Sequence, residues 1–192
     1  DPRPDQAGDS IVLFDGFNGA FLDEDYGLRG GGIWFLANGD LVQSSETQDA
    51  RLWRTNLSVR DVVVETVVRF GTFTLLQRGS AGPMGRVNGN TAFACGLGHD
   101  DDFPPGGVLD LYVLDWLTGG PSSSHEAAID TVAAGGVRYR VTLDVLDENA
   151  ACAAGEDVTS DQASEITSGS PGLRSSRASA AFEYLFVVQR GG

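Results

Sequence analysis

The length and the charge of the chain limit what it can be. With 192 residues and 41% hydrophobic side chains, it is long enough for one packed domain and does not need a second. Its 13 basic residues, all arginine, stand against 27 acidic ones and give a formal charge of −14, which repels nucleic-acid phosphates and anionic lipids. No apolar run approaches the roughly 20 residues of a membrane span. We therefore expect a single domain that binds no nucleic acid and does not cross a membrane.

The first residues read as a flexible tether. Residues 1–6 are polar and contain two prolines. This composition is typical of a tether left after removal of a signal peptide or lipoprotein leader. We assign residues 1–10 to this tether and residues 11–190 to one domain. The expected location is then outside the cell or on its surface, with a lipid anchor on the precursor as one form of attachment. An arbitrary start of the chain explains the opening equally well.

Short apolar runs alternate with Gly, Pro, Asn and Asp, which is the pattern of a β-sandwich and not of alternating strands and helices. The first run covers residues 11–14. Asn38-Gly39 is a strong turn signal and predicts a hairpin between residues 34–36 and 40–44. Trp34 in this hairpin is predicted to belong to the core.

The longer runs alternate clearly enough to predict which side chains face the core. In residues 61–70 and 138–146 these are Val62, Val64, Val68 and Phe70, and Tyr139, Val141, Leu143 and Val145. Residues 181–189 are predicted to place Phe182, Tyr184, Phe186 and Val188 on one face. Further strands are predicted at 73–78, 91–97 and 108–117. The Gly, Pro, Ser and Asp content predicts loops at 79–90, 99–107, 119–128 and 155–172.

The two cysteines, Cys95 and Cys152, are far apart in sequence and lie in no CxxC motif or nearby histidine pair that would indicate zinc. A disulfide is the economical interpretation for an exported domain. Two unpaired buried thiols are the alternative.

Several motifs occur in a recognisable order along nearly the whole chain. They are Phe14-Asp15-Gly16-Phe17-Asn18-Gly19, Trp34 followed by Asn38-Gly39-Asp40-Leu41-Val42-Gln43, Val63-Val64-Glu65, Ala94-Cys95-Gly96-Leu97, Tyr139-Arg140-Val141, Gly172-Leu173-Arg174 and Phe182-Glu183-Tyr184. In this order the motifs resemble those of concanavalin A-like lectin/glucanase domains, including their laminin G-like bacterial members.

The resemblance implies an all-β jelly roll of two stacked antiparallel sheets, six or seven strands each, with a concave face that often binds sugars. It also implies that the first and last strands lie side by side and bring Asp15 near Glu183. Many relatives hold a structural calcium ion there, although they usually have Asp where this chain has Glu183. Calcium takes six to eight oxygen ligands, which two carboxylates and loop carbonyls could supply. The alternative is that Asp15 caps a turn and Glu183 faces solvent.

Residues for glycoside hydrolysis are not recognisable. Glucanases of this architecture resemble one another in carrying an E-x-D-x-x-E motif on one strand. That motif does not occur in this sequence. Asp110 and Asp115 share a predicted strand, but their odd spacing directs them to opposite faces unless a bulge intervenes. The run of residues 100–102 beside His99 is interpreted as a solvated turn, with a metal loop or an acid/base site as the alternative.

Aromatic and polar residues at even spacing indicate a glycan groove. Arg51 and Trp53 share one strand face, and Asp110, Tyr112 and Trp116 share another; Arg78 ends a neighbouring strand. Sugar C–H faces stack on aromatic rings while Arg and Asp hydrogen-bond the hydroxyl groups. The alternative is that Trp53 and Trp116 belong to the core.

The prediction from sequence is a non-catalytic, extracellular carbohydrate-binding domain. A laminin G-like module that binds a protein partner, and an atypical glycan hydrolase, are the alternatives.

Overall fold

The computed structural model describes residues 8–46, 49–73, 79–99, 107–115, 120–129, 133–162 and 166–191. The described residues form strands and connecting turns, and none of them is helical. Among them, therefore, no helix is long and apolar enough to cross a lipid bilayer.

Sixteen strands make up the described chain. They are β1 Ser10–Asp15, β2 Tyr26–Gly30, β3 Trp34–Ala37, β4 Asp40–Gln43, β5 Ala50–Arg54, β6 Val62–Phe73, β7 Gly79–Asn88, β8 Thr91–His99, β9 Gly107–Asp115, β10 Gly120–Ile129, β11 Arg138–Leu146, β12 Asn149–Ala154, β13 Asp157–Gln162, β14 Ser170–Ser176, β15 Ala178–Phe182 and β16 Leu185–Gln189.

The strands form two antiparallel sheets, which confirms the predicted all-β sandwich. The nine-stranded sheet has the order β13-β12-β11-β6-β15-β4-β3, and β16 and β1 continue it beside the other half of β6. The seven-stranded sheet has the order β10-β9-β8-β7-β14-β5-β2. The first strand pairs with the last, as the resemblance implied, and Asp15 stands opposite Leu185.

The inner faces of the two sheets supply the core. The side chains predicted to face inward on β6 are buried to 1% exposure or less, and Val141, Leu143 and Val145 on β11 are fully buried. Burying an aliphatic side chain of this size contributes roughly 1.5–3 kcal/mol, so the alternation on these two paired strands accounts for much of the contact between the layers.

A disulfide crosses the core. Cys95 lies on β8 of one sheet and Cys152 on β12 of the other, and their Cα atoms are 5.2 Å apart. Both residues are buried to 1% exposure or less. The predicted pairing is confirmed, and it joins the two layers.

Three predicted loops are wrong. Residues 79–90 contain β7, residues 119–128 lie almost wholly in β10, and residues 155–172 contain β13 and the start of β14. Strand β7 is buried on both faces from Gly79 to Val87, and small residues fit where both faces are covered, so Gly, Ser and Pro did not mark a turn. The predicted strand at 73–78, the loop at 99–107 and the end of the strand at 108–117 fall largely on residues outside the described ranges.

The last predicted strand is interrupted. Phe182 and Leu185 both face the core, with no exposed surface, although they are three positions apart. Glu183 donates its backbone N–H to the Val67 carbonyl at 3.0 Å, and Thr66 Oγ1 donates to the Tyr184 carbonyl at 2.6 Å. The prediction that Phe182 shares a face with Tyr184 and Phe186 is wrong, because this irregularity between β15 and β16 shifts the alternation by one residue.

The predicted hairpin is confirmed. Asn38 and Gly39 connect β3 to β4 with φ angles of 57° and 83°, the left-handed values that a two-residue hairpin turn requires. Trp34 packs against the core, and its ring stacks on Phe182 with 5.8 Å between the centroids.

Candidate ligand-binding face

The outer face of the seven-stranded sheet collects the predicted ligand-binding residues that the structure describes. Leu52 on β5 and Leu109 and Leu111 on β9 point into the core. Because side chains alternate along a strand, Arg51 and Trp53 on β5 and Asp110 and Tyr112 on β9 point outward. The two residue pairs, which sequence analysis placed on separate strands, thus share one surface, called the candidate face below.

Strand register arranges this face in transverse rows. The aromatic row crosses six strands from β9 to β2 in the order Tyr112, Ala94, Met84, Gly172, Trp53 and Gly27. Tyr112 and Trp53 are four strand spacings apart, which corresponds to roughly 19 Å. The residues between them are small or flexible and are buried. The row therefore forms a band with an aromatic residue near each end and little exposed surface in its middle.

Trp53 depends on a glycine beside it. A Cβ atom at Gly27 would lie 2.7 Å from Cε2 and 2.9 Å from Cζ2 of Trp53, closer than side-chain atoms approach one another. The indole ring therefore lies over Gly27 on the edge strand β2. Trp53 also packs against a small cluster of buried residues on the same face, formed by Met84, Val87, Ala92, Ala94 and Tyr112.

A second row, the charged row, runs parallel to the first. Asp110 stands opposite Gly96 on β8, and at the other end Arg174 on β14, Arg51 on β5 and Arg29 on β2 stand directly opposite one another. Acidic and basic side chains are thus separated along one line across the sheet.

Contacts connect the two rows. The guanidinium carbon of Arg174 lies 5.1 Å from the centroid of the Tyr112 ring, within the range of a cation–π interaction. The Tyr112 hydroxyl group donates a hydrogen bond to Asp110 Oδ2. Arg174 Nε donates to Asp49 Oδ1 at 3.0 Å, and Arg51 forms an ion pair with the other oxygen of Asp49.

The electrostatic environment is set by burial and by the neighbouring charges. Burial lowers the pKa of Arg174, and the nearby Tyr112 and Asp110 oppose this effect. The pKa of Arg51 is lowered to about 9, first by burial and then by the positive charges of Arg174 and Arg29. The arginine end of the charged row thus combines three arginine side chains with the Asp49 carboxylate, which pairs with Arg51 and Arg174.

Exposure differs along the face. Asp110 is fully buried, and Tyr112, Arg51 and Arg174 are 7%, 8% and 9% exposed. Trp53 is half-buried and Arg29 is exposed. A ligand therefore meets the face first at its β5–β2 end, where Arg29 donates a hydrogen bond to Asn90 Oδ1 at 2.9 Å.

Sequence analysis missed two residues of this face. Arg174 lies just beyond the predicted loop at 155–172, and Arg29 lies before the first hairpin. No strand was predicted at either position, although Arg174 belongs to the Gly172-Leu173-Arg174 motif of the resemblance. Arg78 and Trp116, which were predicted to bind ligand, lie outside the described residues, as does the 100–102 acidic run.

The two predicted calcium ligands have partners within the chain. Asp15 accepts hydrogen bonds from the Phe17 backbone N–H at 2.9 Å and the Tyr26 hydroxyl at 2.8 Å, and Glu183 forms an ion pair with Arg138. Among the described residues, no group of three or more His, Cys, Asp or Glu side chains is placed to hold a metal ion. As arranged, these two carboxylates fit a turn and an ion pair and not a calcium site, and calcium binding stays an untested prediction.

Comparison with known proteins shows the fold. No protein-family model and no curated protein sequence matches the chain. Among solved structures, carbohydrate-binding module CBM66 from Bacillus subtilis has a TM-score of 0.67 at 14% identity, over 83% of this chain and 92% of that one. The chain has a concanavalin A-like jelly-roll fold.

Two further structures have the same score and show the range of proteins with this jelly roll. A protein of unknown function with a galectin-like fold from Bacillus subtilis has a TM-score of 0.67 at 11% identity, over 94% of this chain and 98% of its own. The glucanase SCLam of family GH16, a non-specific endo-β-1,3(4)-glucanase, has a TM-score of 0.67 at 9% identity, over 96% and 92%. Identities this low establish the fold alone.

Proposed function

We propose that this jelly-roll domain is a non-catalytic carbohydrate-binding domain that works outside the cell and binds an oligosaccharide at the β5–β2 end of its candidate face. The observation that carries the proposal is the aromatic row, because Trp53 presents a half-buried indole at its accessible end, in register with Tyr112. A flat ring with hydrogen-bonding groups nearby is what sugar recognition requires.

The proposed path of the ligand follows the aromatic row. A sugar ring stacks on Trp53, where the band is open, and Arg51 and Arg29 donate hydrogen bonds to the oxygen atoms of the ligand from the neighbouring row. Tyr112 and Arg174 support the face from below, since both are at least nine-tenths buried and contact each other. This arrangement positions the arginines before a ligand arrives, which lowers the entropy cost of binding.

The non-catalytic part of the proposal is supported by Asp110 and Asp49, the two acids of this face whose side chains the structure describes. Glycoside hydrolysis requires two carboxyl groups at a defined separation, one of which donates a proton. The Asp110 carboxylate instead accepts a hydrogen bond from Tyr112 and is fully buried. The Asp49 carboxylate forms ion pairs with Arg51 and Arg174 through its two oxygen atoms.

The experiment is a screen of the purified protein against immobilised neutral and acidic polysaccharides, followed by calorimetry with oligosaccharides of the best binder. We expect Trp53→Ala to weaken binding at least tenfold. Phe14→Ala is the matched control, because Phe14 is a 65% exposed aromatic residue on β1 of the other sheet. Glycan binding that Trp53→Ala leaves unchanged would refute the assigned site.

Catalysis is tested separately. The protein is incubated with each polysaccharide that it binds, and reducing ends are measured over time. We expect no release above that of a heat-denatured sample. Reproducible release by the native protein would replace the binding-domain proposal with that of a hydrolase.

A further inference from the structure

Three arginines stand side by side on the candidate face. Arg29, Arg51 and Arg174 occupy directly opposed positions on β2, β5 and β14. Like charges placed directly opposite each other destabilise a sheet. The chain has only 13 basic residues against 27 acidic ones, so a row of three neighbouring arginines is a local reversal of its overall charge.

Two of these arginines are held in place by the fold. Arg51 and Arg174 are less than one-tenth exposed, and both form ion pairs with Asp49. Arg174 is also fixed by the Tyr112 ring below it. Burying neighbouring positive charges is costly. Burial lowers the pKa of Arg51, and the charges of Arg174 and Arg29 lower it further. Asp49 supplies one negative charge for these three arginines, so an added negative charge beside Arg51 and Arg29 would be stabilised.

The row lies next to the accessible aromatic residue. Arg51 and Trp53 are two positions apart on β5, which separates their Cα atoms by about 7 Å. Arg29 is exposed on the neighbouring edge strand, and Gly27, over which the indole lies, is on the same strand. A sugar ring stacked on Trp53 would therefore extend a substituent on its arginine side toward Arg51 and Arg29.

We propose that the ligand is an anionic glycan whose carboxylate or sulfate group is bound by Arg51 and Arg29 while the sugar ring stacks on Trp53. This inference depends on the carbohydrate-binding function proposed above and specifies its ligand class. The planar guanidinium group suits both anions, because its N–H donors match two oxygen atoms at once. Since the formal charge of the whole chain is −14, which repels densely charged polymers, the expected ligand carries isolated anionic groups.

The test compares each acidic sugar with its neutral counterpart. Calorimetry is carried out with oligogalacturonides and their carboxyl-reduced forms, and with oligosaccharides of a sulfated galactan and their desulfated forms. The variants are Arg29→Gln, which alters an exposed residue, and Arg138→Gln as a matched control. Arg138 is a 69% exposed side chain on the other sheet that also has an ion-pair partner, Glu183.

We expect one acidic form to bind and its neutral counterpart to bind roughly tenfold to a hundredfold more weakly, as the loss of charge-assisted hydrogen bonds predicts. Arg29→Gln should weaken the acidic form by about tenfold and leave the neutral form unchanged, and Arg138→Gln should change neither. The uronate and sulfate pairs show which anion is preferred. A circular dichroism spectrum and a melting curve for each variant exclude loss of the fold.

Two results would overturn the inference and are distinguishable. If a glycan binds in a Trp53-dependent manner and removal of its anionic groups leaves the affinity unchanged, the binding function stands and the anionic ligand class is wrong. If the anionic groups are required but Arg29→Gln leaves the affinity unchanged, the assigned arginine site is wrong. If neither the polysaccharide screen nor these oligosaccharides show binding, both the function and the ligand class are wrong.

Discussion

Arg174 holds its guanidinium group over the ring of Tyr112, with 5.1 Å between the guanidinium carbon and the ring centroid, although β7 and β8 lie between their strands. The Tyr112 ring lies near Gly96 on β8, where a Cβ atom would be 3.9 Å from Cε2 of the ring. The middle of the candidate face is therefore closed by this pair, and its β5–β2 end is left for a ligand.

The hydrogen bond between Tyr112 and Asp110 is expected to stabilise the fold. Tyr112→Phe removes a donor from a fully buried carboxylate, which should lower the free energy of unfolding by about 1–3 kcal/mol. Urea denaturation measures this change. Tyr139→Phe is the control, because the Tyr139 hydroxyl accepts a bond from the Ala134 N–H at an exposed site. Equal losses in the two variants would contradict a special role for the buried pair.

Gly27→Ala should displace the Trp53 indole without unfolding the protein. The added methyl group would overlap Cε2 and Cζ2 of the ring, and β2 is an edge strand that can adjust. We expect a shifted tryptophan fluorescence maximum and glycan affinity reduced as far as in Trp53→Ala. In the control Gly16→Ala, the nearest atom is the Nδ2 end of the Asn18 side chain, which can move. Unchanged fluorescence in Gly27→Ala would contradict the position of the indole.

Removing the disulfide should destabilise the sandwich strongly. The bond joins residues 57 positions apart, and closing a loop of that length contributes roughly 4 kcal/mol in the chain-entropy model. The Cys95→Ala/Cys152→Ala double variant should lose about this much free energy of unfolding. Wild-type protein unfolded in the presence of a reductant is the comparison, and it should match the double variant. A loss below about 1 kcal/mol would contradict the stabilising role of the bond.

Tyr184 is expected to lose its proton at a higher pH than an ordinary tyrosine. Burial, followed by its hydrogen bond to Glu65, raises the pKa of Tyr184 to about 12. Since the ordinary value is 10.0, the folded protein retains a proton that the unfolded chain releases. The contribution of this group to stability is therefore fully present below pH 10 and is lost as the pH rises toward 12. Absorbance at 295 nm should show one fewer late-titrating tyrosine in Tyr184→Phe, and an unchanged titration would refute the assignment.

The alternation of hydrophobic and polar residues made the fold predictable from sequence. This signal was missing where small residues form a central strand. Val62, Val64 and Val68 on β6 were placed correctly because hydrophobic residues recur at every second position there. The β7 residues Gly79 to Val87 gave no such signal, since glycine, serine and proline there are buried by neighbours from other parts of the chain. The shift between Phe182 and Leu185 was also hidden, because it depends on the hydroxyl of Thr66, a residue distant in sequence.

The candidate site was predictable in part for the same reason. The spacing of two positions placed Arg51 and Trp53 on one strand face, and Asp110 and Tyr112 on another. Spacing within a strand does not say which strands become neighbours. Arg174 entered the face through the register of β14 with β5 and β7, and Arg29 through the register of β2 with β5. Neither register can be read from local sequence, so the arginine row emerged only in three dimensions.

The bond between Cys95 and Cys152 supports the candidate face from the core side. Cys95 sits on β8 between Ala94 and Gly96, and these two neighbours form part of the floor of the aromatic and charged rows. The crosslink thus anchors that floor from behind to the opposite layer. Since both cysteines are buried to 1% exposure or less, a free thiol would reach this anchor only after the two layers had opened.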